Sequence, residues 1–270
     1  MTMDYQNTSF NLHGKVALVT GAGGYLGSQM AVFLGVAGAH VILNGRHSES
    51  LQKVQQQLSA QNIESTLLCF DITDEEAVTE NLKTIGNHFT CLDILVNNAH
   101  SGRACAYQDA QREDFFRDFN VDVVATFELI KKSVPLLKKA VSLRQDASVI
   151  NIASMYGMVS PDPSIYGDSK MNNPPHYGVA KAGLIQLTKY MACHLAQDKI
   201  RVNAISPGPF PAEEVINKLP EFKEKLIQKV PLARIGKPHE LLGPLLLLAS
   251  SASSFMTGVN IPVDGGWTAW

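Results

Sequence analysis

The chain predicts a doubly wound α/β fold, a sheet of seven parallel strands with helices on both faces. Three observations carry that prediction. Seven short runs rich in Val, Ile and Leu are separated by stretches of helical periodicity. Several runs are apolar at nearly every position, as parallel strands covered on both faces must be. The first run ends in a glycine-rich turn that opens a helix. With 270 residues and 45% hydrophobic content, the chain can bury the core such a sheet needs. No repeat, low-complexity linker or composition break divides it, so a single domain over 1–270 is expected, with an N-terminal arm over 1–13.

Lys15-Val16-Ala17-Leu18-Val19-Thr20 contains the first strand, Val16 to Thr20, and Gly21-Ala22-Gly23-Gly24-Tyr25-Leu26-Gly27 follows, with a helical pattern through Met30, Ala31, Phe33, Leu34 and Ala37. Strand, glycine turn and helix N-terminus in that order aim backbone N–H groups and the helix dipole at one point, where a pyrophosphate can sit. The second strand, His40 to Leu43, leads through Asn44-Gly45-Arg46 into a helix from Ser48 to Leu58. An acid at the end of this strand would bind a ribose 2′-hydroxyl and repel a 2′-phosphate; Gly45 stands there instead, followed by Arg46, a planar cation suited to gripping phosphate. NADP is therefore expected, with NAD as the alternative. Ser65 to Phe70 forms the third strand and ends at Asp71-Ile72, where Asp71 can also cap the turn into Thr73-Asp74-Glu75-Glu76. Asp93 to Val96, Ser148 to Ile152, Arg201 to Ile205 and Asn260 to Val263 complete the sheet.

Tyr177-Gly178-Val179-Ala180-Lys181 opens a long helical stretch. Positions i and i+4 share a helix face, so the Lys charge can lie near the phenol and favour its phenolate form. A free Tyr titrates near about 10 and is a poor base at neutral pH without such a neighbour. Tyr166-Gly167-Asp168-Ser169-Lys170 has the same spacing and lies nearer Ser154 in sequence. Pro174-Pro175 bars that second pair from the long helix, because proline breaks a helix interior. Tyr177 is therefore assigned, and 161–176, rich in Pro, Asp, Ser and Asn, reads as an insertion near the active site.

The formal net charge of −2 gives no basic footprint for nucleic acid or an anionic membrane. Met1 to Gly14 lacks the cationic start and apolar stretch of a signal peptide. Leu241 to Ala249, broken by Gly243 and Pro244, is too short to span a membrane and reads as a core helix. Cys69, Cys91, Cys105 and Cys193 have neither disulfide-like nor metal-like spacing, which fits a cytoplasmic setting, and no metal site is expected.

Thr20-Gly21 with Gly27, Asp71-Ile72, Asn97-Asn98-Ala99, Asn120, Ser154, Tyr177 with Lys181, Asn203, Pro207-Gly208 and Val263-Asp264-Gly265-Gly266 stand in one order. From about Leu12 to the C-terminus the chain resembles the short-chain dehydrogenase/reductase family, single-domain branch. The resemblance implies a Rossmann fold and hydride transfer between NAD(P)(H) and a secondary alcohol or ketone. It implies cofactor contacts from Gly21, Gly24, Tyr25, Leu26 and Gly27, from Arg46, Asp71, Ile72, Asn98 and Ala99, and from Tyr177, Lys181, Pro207, Gly208 and Phe210. Ser154 would bond the substrate oxygen and Tyr177 would exchange its proton. Lys181 would bind the nicotinamide ribose and depress the Tyr pKa, while Asn120 would hold a water linking Lys181 to solvent. A helix over Ala212 to Lys229 would close over substrate.

Two residues depart from the family pattern. The glycine spacing looks like that of the two-domain branch, with Tyr25 where Gly is usual. His100 also replaces a usual Gly, and it reads either as a substrate contact or as a loop His packed on the cofactor or solvated. Phe10-Asn11-Leu12, Asn44-Gly45-Arg46 and Pro231-Leu232-Ala233-Arg234-Ile235-Gly236 are most similar to the gluconate 5-dehydrogenase-like group. Polar Asp162, Ser164, Asp168, Asn172, Asn173 and His176 suit a sugar acid or other polyhydroxylated small molecule. A 3-oxoacyl carrier-protein reductase and a catalytically silent cofactor-sensing regulator are the alternatives. The family also implies a homotetramer or homodimer; the stripes Phe127, Ile130, Val134, Leu137 and Leu184, Leu187, Met191, Leu195, with Trp267 and Trp270, are candidates for its contacts.

Overall fold

All seven expected strands form: β1 (Val16–Val19), β2 (His40–Gly45), β3 (Ser65–Cys69), β4 (Ile94–Asn97), β5 (Ala147–Ile152), β6 (Ile200–Pro207) and β7 (Asn260–Val263). The computed structural model describes residues 10–167 and 172–270. The strands are parallel and lie in the order β3-β2-β1-β4-β5-β6-β7. The order reverses between β1 and β4, which opens a crevice at the carboxyl ends of the central strands.

Nine helices are described: α1 (Tyr25–Val36), α2 (Ser48–Ser59), α3 (Glu75–Phe89), α4 (Arg112–Phe119), α5 (Thr126–Arg144), α6 (Pro175–Leu195), α7 (Glu213–Lys218), α8 (Pro220–Lys229) and α9 (Leu242–Ala249). Successive strand side chains point to opposite faces, so Ala17 and Val19 join a core with Met30, Leu34, Leu51 and Leu248 of α1, α2 and α9. Val16 and Leu18 join the other core, with Leu82 of α3, Leu129 of α5 and Met191 of α6. No helix among the described residues is long and apolar enough to cross a membrane.

Buried polar groups tie the layers together. Asn97 donates to Asn151 Oδ1, and Asn151 donates to Thr188 Oγ1 on α6, each at 2.8 Å. Asn203 reaches from β6 to the Met256 carbonyl and accepts from the Val259 N–H, fixing the approach to β7.

Three expectations change. The single helix over Ala212 to Lys229 is two, because Pro220 cannot continue α7 and instead occupies the first turn of α8. The stripes on α5 and α6 face the sheet, with Ile130, Leu137 and Met191 in its core and Phe127, Val134 and Leu187 partly buried against it. Trp267 is buried within the chain, edge-on to Tyr156, and only Trp270 is left exposed.

Candidate active site

The crevice is a cleft of about 1050 Å³. The glycine turn lies at one side of it, locked by Thr20, whose Oγ1 accepts from the Asn98 and Ala99 N–H groups at 2.9 and 3.0 Å. Asn98 in turn donates to the Thr20 and Gly21 carbonyls. Gly21 takes φ +64°, and a β-carbon on Gly27 would lie 2.2 Å from the Gly21 oxygen, so both positions require glycine. Gly24, at the start of α1, offers no side chain to cap the helix, which leaves first-turn N–H groups for a ligand where Gly24, Tyr25 and Leu26 line the cleft. These features fit a dinucleotide pyrophosphate.

At the end of β2, Arg46 and Asp71 both line the cleft, with Arg46 Nη1 3.8 Å from Asp71 Oδ2. His47, Ser48 and Lys53 line the same end and were not singled out from sequence. A β-carbon on Gly45 would lie 3.2 Å from Leu51 of α2, so a side chain there would start toward that helix.

Ser154 follows β5 and lines the cleft, its Oγ accepting from the Tyr156 N–H at 3.1 Å. Tyr177 and Lys181 reach the same cleft from the first turns of α6. The Ser154 turn packs closely on α6 because residue 178 is glycine: a β-carbon there would lie 2.9 Å from the Tyr156 carbonyl oxygen. Pro175 starts α6 at a position where its missing N–H costs nothing. Lys181 is buried, donates to the Ile152 carbonyl at 3.0 Å, and holds its Nζ 5.7 Å from the Tyr177 ring centroid. Ile72, Asn98, Ala99, Pro207, Gly208 and Phe210 also line the cleft.

Asn120 is not in the site. It begins a π-helical turn, Asn120–Ala125, is exposed, and does not line the cleft. Asp122, two residues on, is the residue of that turn that meets Lys181, with Oδ1 3.5 Å from Nζ. His100 Nδ1 lies 3.1 Å from both Asp122 oxygens, and the His100 ring stands edge-on to Tyr177 with centroids 5.0 Å apart. Burial alone would raise the Asp122 pKa, but the Lys181 charge and the His100 hydrogen bond outweigh it and hold the carboxyl below its ordinary range.

Tyr166 lies elsewhere, stacked on Phe222 and with its hydroxyl 3.5 Å from that of Tyr156; burial raises its phenol pKa. Lys170 and Asp168 lie outside the described residues. Two insertion residues expected to greet a ligand are otherwise engaged. Asp162 pairs with Lys229, which draws its pKa down to about 2, and buried His176 holds Asp118 at 2.5 Å. Cys105, Asp114 and His176 bring three potential metal ligands together, a cluster invisible in sequence because the residues are far apart. Arg103 and Arg117 already engage Asp114 and hold its pKa far down, so this cluster has no carboxylate free for a cation.

The fold and cleft define a dinucleotide-binding α/β protein. A family profile described as enoyl-(acyl carrier protein) reductase matches residues 21–268. The 3-oxoacyl-[acyl-carrier-protein] reductase of Thermotoga maritima is 32% identical, over 94% of this chain and 98% of its own. The gluconate 5-dehydrogenase of Gluconobacter oxydans is also 32% identical, over 96% of each chain. Among solved structures, a gluconate 5-dehydrogenase from Burkholderia cenocepacia in complex with NADP and tartrate superposes with TM-score 0.84 at 27% identity, covering 97% of this chain and 98% of that one. The chain belongs to the short-chain dehydrogenase/reductase family, whose members are NAD(P)-dependent oxidoreductases acting on CH–OH and C=O groups.

Proposed function

We propose that this chain transfers hydride between NADP(H) and a polyhydroxylated ketone or alcohol of the sugar-acid type. The observation that carries the reading is the convergence of Ser154, Tyr177 and Lys181 on the cleft that also holds the glycine turn and Arg46. Gly21, Gly24, Tyr25, Leu26 and Gly27 would hold the pyrophosphate, Asp71 and Ile72 the adenine end, and Asn98, Ala99, Pro207, Gly208 and Phe210 the nicotinamide half. The cofactor, when bound, supplies or accepts the hydride. Ser154 orients the substrate oxygen by hydrogen bonding. Tyr177 gives that oxygen a proton in reduction and removes it in oxidation. Lys181 places a cation beside the phenol and stabilises charge that develops on it.

The similarity to gluconate 5-dehydrogenases, one of them solved with NADP and a hydroxylated dicarboxylate, supports both the cofactor and the substrate class. Similarity of equal strength to a 3-oxoacyl carrier-protein reductase makes a 3-oxoacyl thioester the necessary control. The test is a panel of ketoses, keto sugar acids, activated sugars and a 3-oxoacyl thioester, each with NADPH and NADH. Turnover best with a keto sugar acid and NADPH is expected; preference for the thioester overturns the substrate class.

Arg46→Ala should raise KM for NADPH about tenfold, the loss of roughly one charge-assisted hydrogen bond, and leave KM for NADH unchanged. Wild-type protein that prefers NADH contradicts the assignment of Arg46. This single change is cleaner than adding an acid at Gly45, which would press on Leu51.

The chain is further proposed to act as a homodimer or homotetramer through α4 and α6, where Phe116, Phe119 and Val179 are exposed. Phe116→Glu with Phe119→Glu should reduce the mass seen by light scattering. An active wild-type monomer at micromolar concentration rejects the proposal.

A further inference from the structure

Lys181 is closed off from water. Its side chain is 4% exposed, and among the described residues its Nζ meets the Ile152 carbonyl at 3.0 Å and Asp122 Oδ1 at 3.5 Å. The Asp122 side chain is 0% exposed, with His100 Nδ1 3.1 Å from each of its oxygens. His100 is the first member of this string to reach solvent, with 29% of its side chain exposed.

Among the described residues, Asp122 from the π-helical turn, Tyr177 from α6 and Asp118 from α4 face the imidazole. The last lies near the far edge of the ring, since a β-carbon on Gly102 would be 2.9 Å from His100 Nε2 and 2.8 Å from Asp118 Oδ2. Pairing with Lys181 accounts for a buried carboxylate at Asp122. It does not account for an imidazole running from that carboxylate to water.

We propose that Asp122 and His100 form the path by which Lys181 exchanges its proton with solvent, the task that the family resemblance implies for Asn120. The inference rests on the oxidoreductase reading of Tyr177 and Lys181. In reduction, Tyr177 gives its proton to the substrate oxygen and the phenolate is reprotonated at the expense of the Lys181 ammonium. The Lys181 amine takes a proton from Asp122 Oδ1 as Asp122 takes the hydrogen of His100 Nδ1, and water protonates the ring at Nε2. A ring flip or exchange with water then returns the hydrogen to Nδ1. The balance is one proton from solvent to substrate with the charges of the site restored, and oxidation runs the steps in reverse.

His100→Ala in the full chain, assayed with NADPH and a ketone that the wild type reduces, tests the path. We expect kcat to fall about tenfold or more with KM for NADPH nearly unchanged, and free imidazole to restore part of the loss, as it does for a missing proton carrier and not for a missing structural contact. An unchanged kcat, or a loss that imidazole does not relieve, overturns the path. A second readout needs no turnover: ¹⁵N-histidine NMR of the cofactor-free wild type should place the His100 hydrogen on Nδ1, and Asp122→Asn should change that signal. A hydrogen resident on Nε2, or a signal indifferent to Asp122→Asn, also overturns it. A wild type that reduces no ketone sinks the oxidoreductase reading and the path with it, whereas an active wild type with an equally active His100→Ala sinks the path alone.

Discussion

Tyr177→Phe should lower kcat by about three orders of magnitude and leave the affinity for NADPH nearly unchanged, because it removes the proton and keeps the ring. The magnitude follows from the phenol's place. Tyr177 shares the cleft with Ser154 and Lys181, so under the proposed function a substrate oxygen bonded to Ser154 would have that hydroxyl as its proton partner. Tyr166→Phe is the matched control. Tyr166 is stacked on Phe222 away from the cleft, so its loss should leave most of kcat and register mainly in stability. Steady-state kinetics with an NADPH titration of both variants checks the pair, and a reversed outcome assigns the chemistry to Tyr166.

Lys181→Met is the second large effect, and it acts on both chemistry and folding. Turnover should fall by about two orders of magnitude or more with the loss of the cation beside Tyr177. The variant also leaves the Asp122 carboxylate buried with, among the described residues, only His100 beside it. Breaking a buried ion pair costs about 3 kcal/mol at the lower end of its range, the end that fits a carboxylate still holding one hydrogen bond. The sign of the pH dependence follows from the direction of the Asp122 shift. Its folded-state pKa is depressed, so its stabilisation is fully present above the unfolded value of about 3.9 and is lost as pH falls through the lower folded value. The stability gap between wild type and variant should therefore narrow in acid, where a protonated Asp122 no longer needs Lys181. Urea unfolding at neutral pH and well below the unfolded value of about 3.9 measures it; a gap that widens in acid contradicts the pairing.

The strands were legible because each is a short run of β-branched and aliphatic residues, and their ends fall within about two residues of expectation, as hydrophobic periodicity allows. The place of Tyr177 at the start of the long helix was legible through Pro174-Pro175, since a helix can begin at Pro175 but cannot run through it. Asp122 was not. The reading followed the amide of Asn120, but residues two apart do not share a helix face, and the π-helical turn changes which side chain reaches inward. The apolar stripes on α5 and α6 revealed which face is buried without saying what covers it, and the sheet does. Trp267 shows the same limit, since its contact with Tyr156 joins segments far apart in the chain.

The most direct measurement follows the hydride itself. Wild-type protein is incubated with NADPH carrying deuterium at the nicotinamide C4 and a keto sugar acid, and the alcohol formed is weighed by mass spectrometry. Deuterium carried into the product carbinol from one face of the nicotinamide, and lost as a signal in Tyr177→Phe, is the predicted result. NADPH that binds in the cleft and is not consumed with any ketone or keto acid would contradict the account and leave a cofactor-sensing protein in its place.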